Sequence, residues 1–421
     1  MTSNQPAHGR ASFFSIFLCS IIAVLYLIYL AHDMVRLVSM HDDPHSPILI
    51  ASKELPQADY ARFWYEGKSL FISRAEVLRQ EFPNSSWLRS ELKVTAPASI
   101  PHPEAGWLYP PTMGPLAVLF SFIPLALSFW VWRAATLLIA AICLRYAGLG
   151  WLVIIAGLLC PAGITDVLTG QNGALTAGLF ISALLCFDTK PRFGGGLAGL
   201  LCIKPQVAIA LPFILFRSRY RRALLACLLV AAAMILLSII VGGWTSWISF
   251  ITISGSISSR VMNAPINKLA PGGITVLMMA RTFHATVSEA WALQAVSSAT
   301  AGMIVWHIWR APTSDQIGRT ALTVCLSLLI TPYGFLYDLV GFAIAMAAMF
   351  ARTSNRQKPI FALLWLLSGY VGVIASLTTL DLMPIAAAAG AWLIWDQGKT
   401  RKAGQPGPAG AEGPQTPITL R

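Results

Sequence analysis

Residues 57–70 read Gln57-Ala58-Asp59-Tyr60-Ala61-Arg62-Phe63-Trp64-Tyr65-Glu66-Gly67-Lys68-Ser69-Leu70. They lie in the one long polar segment of an otherwise oily chain, running from about His32 to Trp107. One apolar run precedes this segment and a series follows it. If those runs cross a bilayer, the stretch belongs to a loop between the first two spans. Its aromatic and acidic residues then gather at one end of a helical bundle.

Composition supports that reading. The 421 residues are 56% hydrophobic and 11% charged, against roughly 25% charged in a soluble domain. Several apolar runs approach or exceed the ~20 residues that span a bilayer. The fold class is therefore all-α, a polytopic transmembrane bundle. The net charge of +12 comes mostly from short loops and tails. These include Arg217, Arg219, Arg221 and Arg222, then Arg352, Arg356 and Lys358, then Lys399, Arg401 and Lys402. Such clusters mark cytoplasmic loops. No soluble module carries a basic face, which excludes a nucleic-acid role. The seven cysteines all sit in apolar runs without metal-ligand spacing, and read as small buried apolar residues. The first run, 13–31, is longer than a signal-peptide core and no cleavage site follows, so it reads as a retained anchor.

Outward from the quoted stretch, Phe63, Leu70, Phe71, Ala75 and Leu78 share one helical side, with Arg62, Glu66, Arg74 and Arg79 largely elsewhere. This predicts an amphipathic helix over 59–82, at the interface or on the bundle mouth. Residues 113–147 break near Ile123-Pro124 into a short helix and a full one. Residues 149–168 predict one span, closed by Thr169-Gly170-Gln171-Asn172-Gly173, and 174–187 the next. Residues 194–216 are interrupted by Lys204-Pro205-Gln206. A lysine at membrane depth costs about 2.5–3.5 kcal/mol on insertion scales, so it faces a cavity or a partner. After a span over 223–241 comes a polar, serine-rich stretch with Arg260, Asn263 and Lys268. Residues 272–283 are too short to span. A span over 290–309 follows, then two runs flanking Thr331-Pro332-Tyr333-Gly334-Phe335-Leu336-Tyr337-Asp338, then helices over 359–378 and 381–396.

The domain plan is a disordered cytoplasmic N-terminus (1–12), a first transmembrane helix (13–31), a periplasmic loop (32–107), a multi-span bundle (108–396) and a disordered cytoplasmic tail (397–421). It holds about eleven membrane segments. Charge leaves the parity of 112–216 open. Five full crossings would strand Arg145, Lys190 and Arg192 outside, and a re-entrant pair around Lys204 changes the count.

In order along the chain, these motifs resemble glycosyltransferase family 87, polyprenyl-phosphate-mannose-dependent transferases of the GT-C superfamily. The resemblance rests on Asp59-Tyr60-Ala61-Arg62-Phe63-Trp64-Tyr65 and on Tyr109-Pro110-Pro111, with Pro124 and Trp132 after it. Gly170-Gln171-Asn172-Gly173, Lys204-Pro205-Gln206 and Leu211-Pro212 complete it. It implies a membrane transferase that moves a hexose, mannose first, from a polyprenyl-phosphate donor to a glycolipid or glycan acceptor. The reaction would be inverting, need no metal or cofactor, and face the periplasm from the inner membrane. The loop aspartate that deprotonates the acceptor falls on Asp59. Candidates for the donor phosphate are Lys204 and Arg62, with Arg260 and Lys268 behind them. Candidates for acceptor or sugar contacts are Tyr109, Gln171, Tyr337 and Asp338. Where many members carry a late histidine, this chain has Pro332 to Asp338; Tyr337 or Asp338 takes its place, or the acceptor site differs there.

The same residues have plainer readings. Asp59 precedes the helix and fits an N-cap, worth about 1 kcal/mol. Asp42 and Asp43 lack helical context. Lys204 pairs with Asp166 as a packing device or binds ligand. Asp338 bonds to Tyr333 or Thr331. Gln171 opens a helix. A flippase of lipid-linked sugars and a saccharide polymerase remain rival classes. The absence of similar halves argues against the first, and the early position of the large loop against the second.

Overall fold

The computed structural model describes residues 58–71, 109–262, 273–313 and 315–403, with positions 20, 21, 24, 25 and 28. Among the described residues the regular elements are helices, with one isolated antiparallel bridge between Gly273 and Phe335. In order they are α1 (Ala58–Ser69), α2 (Gly114–Ser121), α3 (Leu125–Tyr146), α4 (Trp151–Leu158), α5 (Pro161–Thr169), α6 (Gly173–Cys186), α7 (Pro191–Leu200) and α8 (Pro212–Leu215). Then come α9 (Arg221–Met262), α10 (Val276–Thr282), α11 (Val287–Ile308), α12 (Gln316–Ile330), α13 (Val340–Arg352), α14 (Lys358–Thr378) and α15 (Met383–Ala403).

This is an all-helical membrane bundle. Among the described residues three helices are long and apolar enough to cross a bilayer, Leu127–Tyr146, Ser218–Thr252 and Lys358–Thr378, or four if the bent pair α4–α5 is one span. Large apolar side chains such as Leu138, Ile142, Leu229, Leu236 and Ile240 are exposed along α3 and α9. In water such a surface would be an aggregation hazard; against lipid it is ordinary.

Prolines set several breaks. Pro124 separates α2 from α3, as the sequence predicts. The single span predicted over 149–168 is instead two helices bent by 60°. Pro161 opens the second, and the Cys160 sulfur accepts from the Gly163 N–H at 3.1 Å. The serine-rich stretch predicted after Trp247 is helical as far as Met262, past a kink at Gly243 (φ 71°, ψ 166°). Only glycine takes that conformation without strain.

Side-chain bonds between turns define two ends of the bundle. At one end Asp188 accepts from Arg219 at 2.7 Å and Tyr220 at 2.9 Å, and pairs with Arg319. Arg217 donates to the Trp306 carbonyl, Lys190 to that of Tyr146 at 3.2 Å, and Arg352 pairs with Asp315 at 2.6 Å. Burial pushes the Asp188 carboxyl up, but the bond and charge of Arg319, with Tyr220 and Arg219, hold it below the usual carboxylate range. The basic clusters around 190, 217–222, 310–319 and 352–358 therefore share one end, and Gln397 of α15 joins them through Thr353 at 2.8 Å.

That arrangement fixes where the two feet of segment 191–216 lie in the bundle. Segment 191–216 starts beside Asp188 and ends at Arg217, at the same end, while its tip at Lys204 meets Asn172 and Asp338 at the other. It is a hairpin inserted in the bundle. The thirteen residues from Pro191 to Ile203 reach roughly 20 Å at 1.5 Å each. Its first arm lies tight on α9, because a Cβ at Gly195 or Gly199 would overlap the carbonyls of Ala223 and Cys227. Arg145, Lys190 and Arg192 thus fall with the other basic residues.

α1 is shorter than predicted, closing at Ser69 with Leu70 and Phe71 in a turn; residues 72–82 lie outside the described residues. Phe71 is 59% exposed, so it does not share the buried side with Phe63. Tyr60, Phe63, Trp64 and Tyr65 are buried instead. The Trp64 indole donates to the Ile123 carbonyl at 2.8 Å and the Tyr60 hydroxyl bonds Ser128 at 2.6 Å. Gly67 permits the docking, since a Cβ there would land on the Ala117 backbone carbonyl. Gly67→Ala is expected to destabilise the fold by ~1–3 kcal/mol through overpacking, read as a lower thermal unfolding midpoint; an unchanged midpoint would show that α1 docks loosely.

Asp381, between α14 and α15, is 1% exposed. One oxygen accepts from the Met383 N–H at 3.0 Å; the other has no partner among the described residues. Burial pushes its pKa from 3.8 up to about 7. The folded chain keeps a proton that the unfolded chain releases. This stabilisation is complete below about pH 4 and is lost as pH rises through about 7. The melting-temperature advantage of Asp381→Asn over wild type should therefore grow from pH 4 to pH 7.5. A constant difference would mean the carboxyl is not held neutral.

Candidate functional site

The site lies at the end opposite the basic clusters and is built by three chain breaks. The first is the turn between α5 and α6. Gly170 takes the left-handed conformation (φ 66°) that ends α5. The Trp132 indole donates to its carbonyl at 2.9 Å. Asp166, one turn earlier, receives the N–H groups of Gly173 at 2.6 Å and Ala174 at 2.9 Å, and so caps α6. Asn172 stands at the N-cap position but makes no side-chain cap bond. Its side chain is released to face the hairpin tip.

The second break is Lys204. Pro205 cannot continue the hydrogen bonding of the preceding turn, and it pushes Lys204 to extended backbone (φ −149°, ψ 71°). Thr112 donates to the Cys202 carbonyl there at 2.7 Å. The third is the short 3-10 turn Leu336–Leu339 before α13, which carries Tyr337 and Asp338.

Lys204 is 2% exposed. Its ammonium pairs with Asp338, donates to Asn172 Oδ1 at 3.1 Å, and lies 4.6 Å from the centre of the Tyr337 ring. The sequence alone offers Asp166 as its partner; in the structure Asp166 is consumed by the cap and Asp338 takes the role. Nor does Asp338 bond Tyr333 or Thr331. Its second oxygen accepts from the Phe335 N–H at 3.1 Å, while the Thr331 hydroxyl donates to the Tyr333 carbonyl. Beside this pair the Tyr109 hydroxyl donates to Gln171 Oε1 at 2.6 Å and approaches Asn172 Oδ1 at 3.5 Å. The Asn172 Nδ2 is buried without a hydrogen bond among the described residues. An orphan donor beside a buried ion pair costs stability unless something else accepts from it.

Of the residues singled out from sequence, Lys204, Tyr109, Gln171, Tyr337 and Asp338 come together here. The backbone of α1 next to Asp59 reaches the turn between α5 and α6. Tyr60 packs on Gly170, where an added Cβ would sit 2.7 Å from that of Tyr60. α1 begins at Ala58, so Asp59 lies in the first turn of the helix instead of preceding it. The side chains of Asp59, Arg62 and Arg260, and all of Lys268, lie outside the described residues. Asn172 escaped the sequence reading because an asparagine before a helix ordinarily caps it. Only the competing cap from Asp166 shows that it does not.

A buried, hydrogen-bonded polar cluster inside an apolar helical bundle defines a membrane protein with a built site. The model of glycosyltransferase family 87 matches residues 107–332, just over half of the chain, and the chain belongs to that family. It is a membrane glycosyltransferase, with a sugar donor and an acceptor as substrates. No curated protein and no solved structure shows significant similarity to it.

Proposed function

We propose that the chain moves a hexose, mannose first, from a polyprenyl-phosphate donor to a glycolipid or glycan acceptor by single displacement with inversion. The observation that carries this reading is the position of the Lys204–Asp338–Asn172 cluster, at the end of the bundle away from the basic turns. Basic turns face the cytoplasm, so the cluster faces the extracytoplasmic side of an inner membrane, where a lipid-linked donor enters from the bilayer. Asp59 takes the acceptor hydroxyl proton as the new bond forms. Lys204 has a third N–H beyond those given to Asp338 and Asn172. That N–H, with Arg62, Arg260 and Lys268, stabilises the phosphate that leaves. Tyr109, Gln171, Tyr337 and Asp338 hold sugar hydroxyls.

The test is a transfer assay in membranes containing the full chain, with radiolabelled polyprenyl-phosphate-mannose. Wild type is expected to move label from lipid to acceptor. Failure with mannose and with a panel of other polyprenyl-phosphate hexoses sinks the reading and favours a flippase.

A further inference from the structure

Behind Asp338 the bundle is not closed. A cavity of about 40 Å³ lies between α6, α12, α13 and the turn after Lys204. One water needs roughly 10–15 Å³ of such space, so the cavity takes about three water-sized oxygens. It is too small for a whole sugar ring, but it matches the hydroxyl-bearing edge of one.

The wall has the chemistry of such a site. Its polar members are Thr176, Gln206, Ser327, Thr331, Tyr333 and Asp338. The Thr176 hydroxyl donates to the Asn172 carbonyl at 3.0 Å, and that of Ser327 to the Val324 carbonyl at 2.7 Å. Each keeps its lone pairs for an incoming donor. Asp338 gives one lone pair to Lys204 and one to the Phe335 N–H, which leaves further acceptor capacity on both oxygens. Gln206 supplies two donors and an acceptor, and its side chain makes no hydrogen bond among the described residues. The rest of the lining is apolar, with Phe180, Leu328 and Phe342 among it. Tyr333 and Gln206, both part-exposed, mark the mouth.

Charge narrows the occupant. The Asp338 carboxylate is matched by Lys204, and no other charged residue lines the cavity. A phosphate would find no uncompensated cation. An alkyl chain would strip water from Gln206, Thr176 and Ser327 without replacing it. A neutral polyol can bond Gln206, Asp338, Thr176 and Ser327 while its ring carbons lie against the apolar wall.

Resting on the transferase reading above, we infer that this cavity is a hexose subsite. Gln206 and Asp338 hold two neighbouring hydroxyls and Thr176 with Ser327 a third. The sugar belongs to the acceptor or to the donor, and the two are separated kinetically.

The probe is an alkyl hexoside bearing a diazirine, photolysed with the full chain in nanodiscs. Labelled peptides are expected from α6 and α12, to be competed by excess methyl α-mannoside, and to fall at least fivefold in Gln206→Leu. Ser327→Ala, which any helix tolerates, should fall severalfold and decides the matter if Gln206→Leu does not fold. Labelling elsewhere, or undiminished labelling in monodisperse variants, overturns the inference. In the transfer assay Gln206→Leu should raise KM for one substrate alone: the alkyl hexoside if the subsite holds the acceptor, the lipid-linked sugar if it holds the donor. Unchanged values for both overturn it. Photolabelling needs no turnover. A wild type that labels as expected but transfers no sugar removes the transferase reading and leaves the subsite standing.

Discussion

Asp59→Asn is expected to lower transfer by about 10²- to 10⁴-fold, the usual contribution of a positioned general base. The chemistry sets that size. An acceptor hydroxyl is a weak nucleophile, and its proton must go to a group within hydrogen-bond reach as the glycosidic bond forms. Asn matches Asp in volume and in helix-start preference, so α1 should still dock through Tyr60, Trp64 and Gly67. The thermal midpoint should therefore hold while the rate collapses. The rate is read as transfer of labelled mannose at matched expression. Equal transfer by both proteins would reduce Asp59 to a first-turn helix residue, and the base would have to be sought at Asp338 or Asp43. Loss of midpoint together with rate would mean that the side chain is structural.

Lys204→Met should cost stability as well as activity. The substitution keeps length and apolar stem but leaves Asp338 buried and uncompensated. Breaking one side of a buried pair costs about 3–5 kcal/mol, and both partners here are nearly inaccessible, at 3% and 7% side-chain exposure. The loss extends to Asn172, whose carbonyl oxygen would lose the ammonium as donor. Replacing both partners, Lys204→Met with Asp338→Leu, should recover most of the stability, because paired apolar groups carry no unmet charge. It should not recover transfer, since both the phosphate and the sugar contacts proposed above go with the pair. Unfolding midpoints and the transfer assay on wild type, single and double variants separate these effects. A single variant as stable as wild type would show that Asp338 already sits in water.

The agreement between sequence and structure follows the range of each force. Local signals carried far. Pro124, Pro205 and the Pro332 region mark breaks that the structure has, because a missing N–H acts on its own turn. Apolar run lengths marked out most of the helices. Pro161 was an equally local signal, and the run of apolar residues around it concealed the bend.

The chain alone thus determined an all-helical membrane bundle, its family resemblance, and the residue types able to carry the chemistry. Tertiary structure alone decided who meets whom. Lys204 and Asp338 lie 134 positions apart, and helical periodicity has no reach over that distance. The choice of Asp338 over Asp166 turns on which carboxylate is consumed by the α6 cap. The gathering of Arg145, Lys190 and Arg192 with the basic cluster at 217–222 depends on the hairpin at Lys204 turning back, which the Asp188–Arg219 ion pair between its feet reveals and charge counting does not. The orphan amide of Asn172 and the cavity behind Asp338 exist only because three separate chain breaks converge at one end of the bundle.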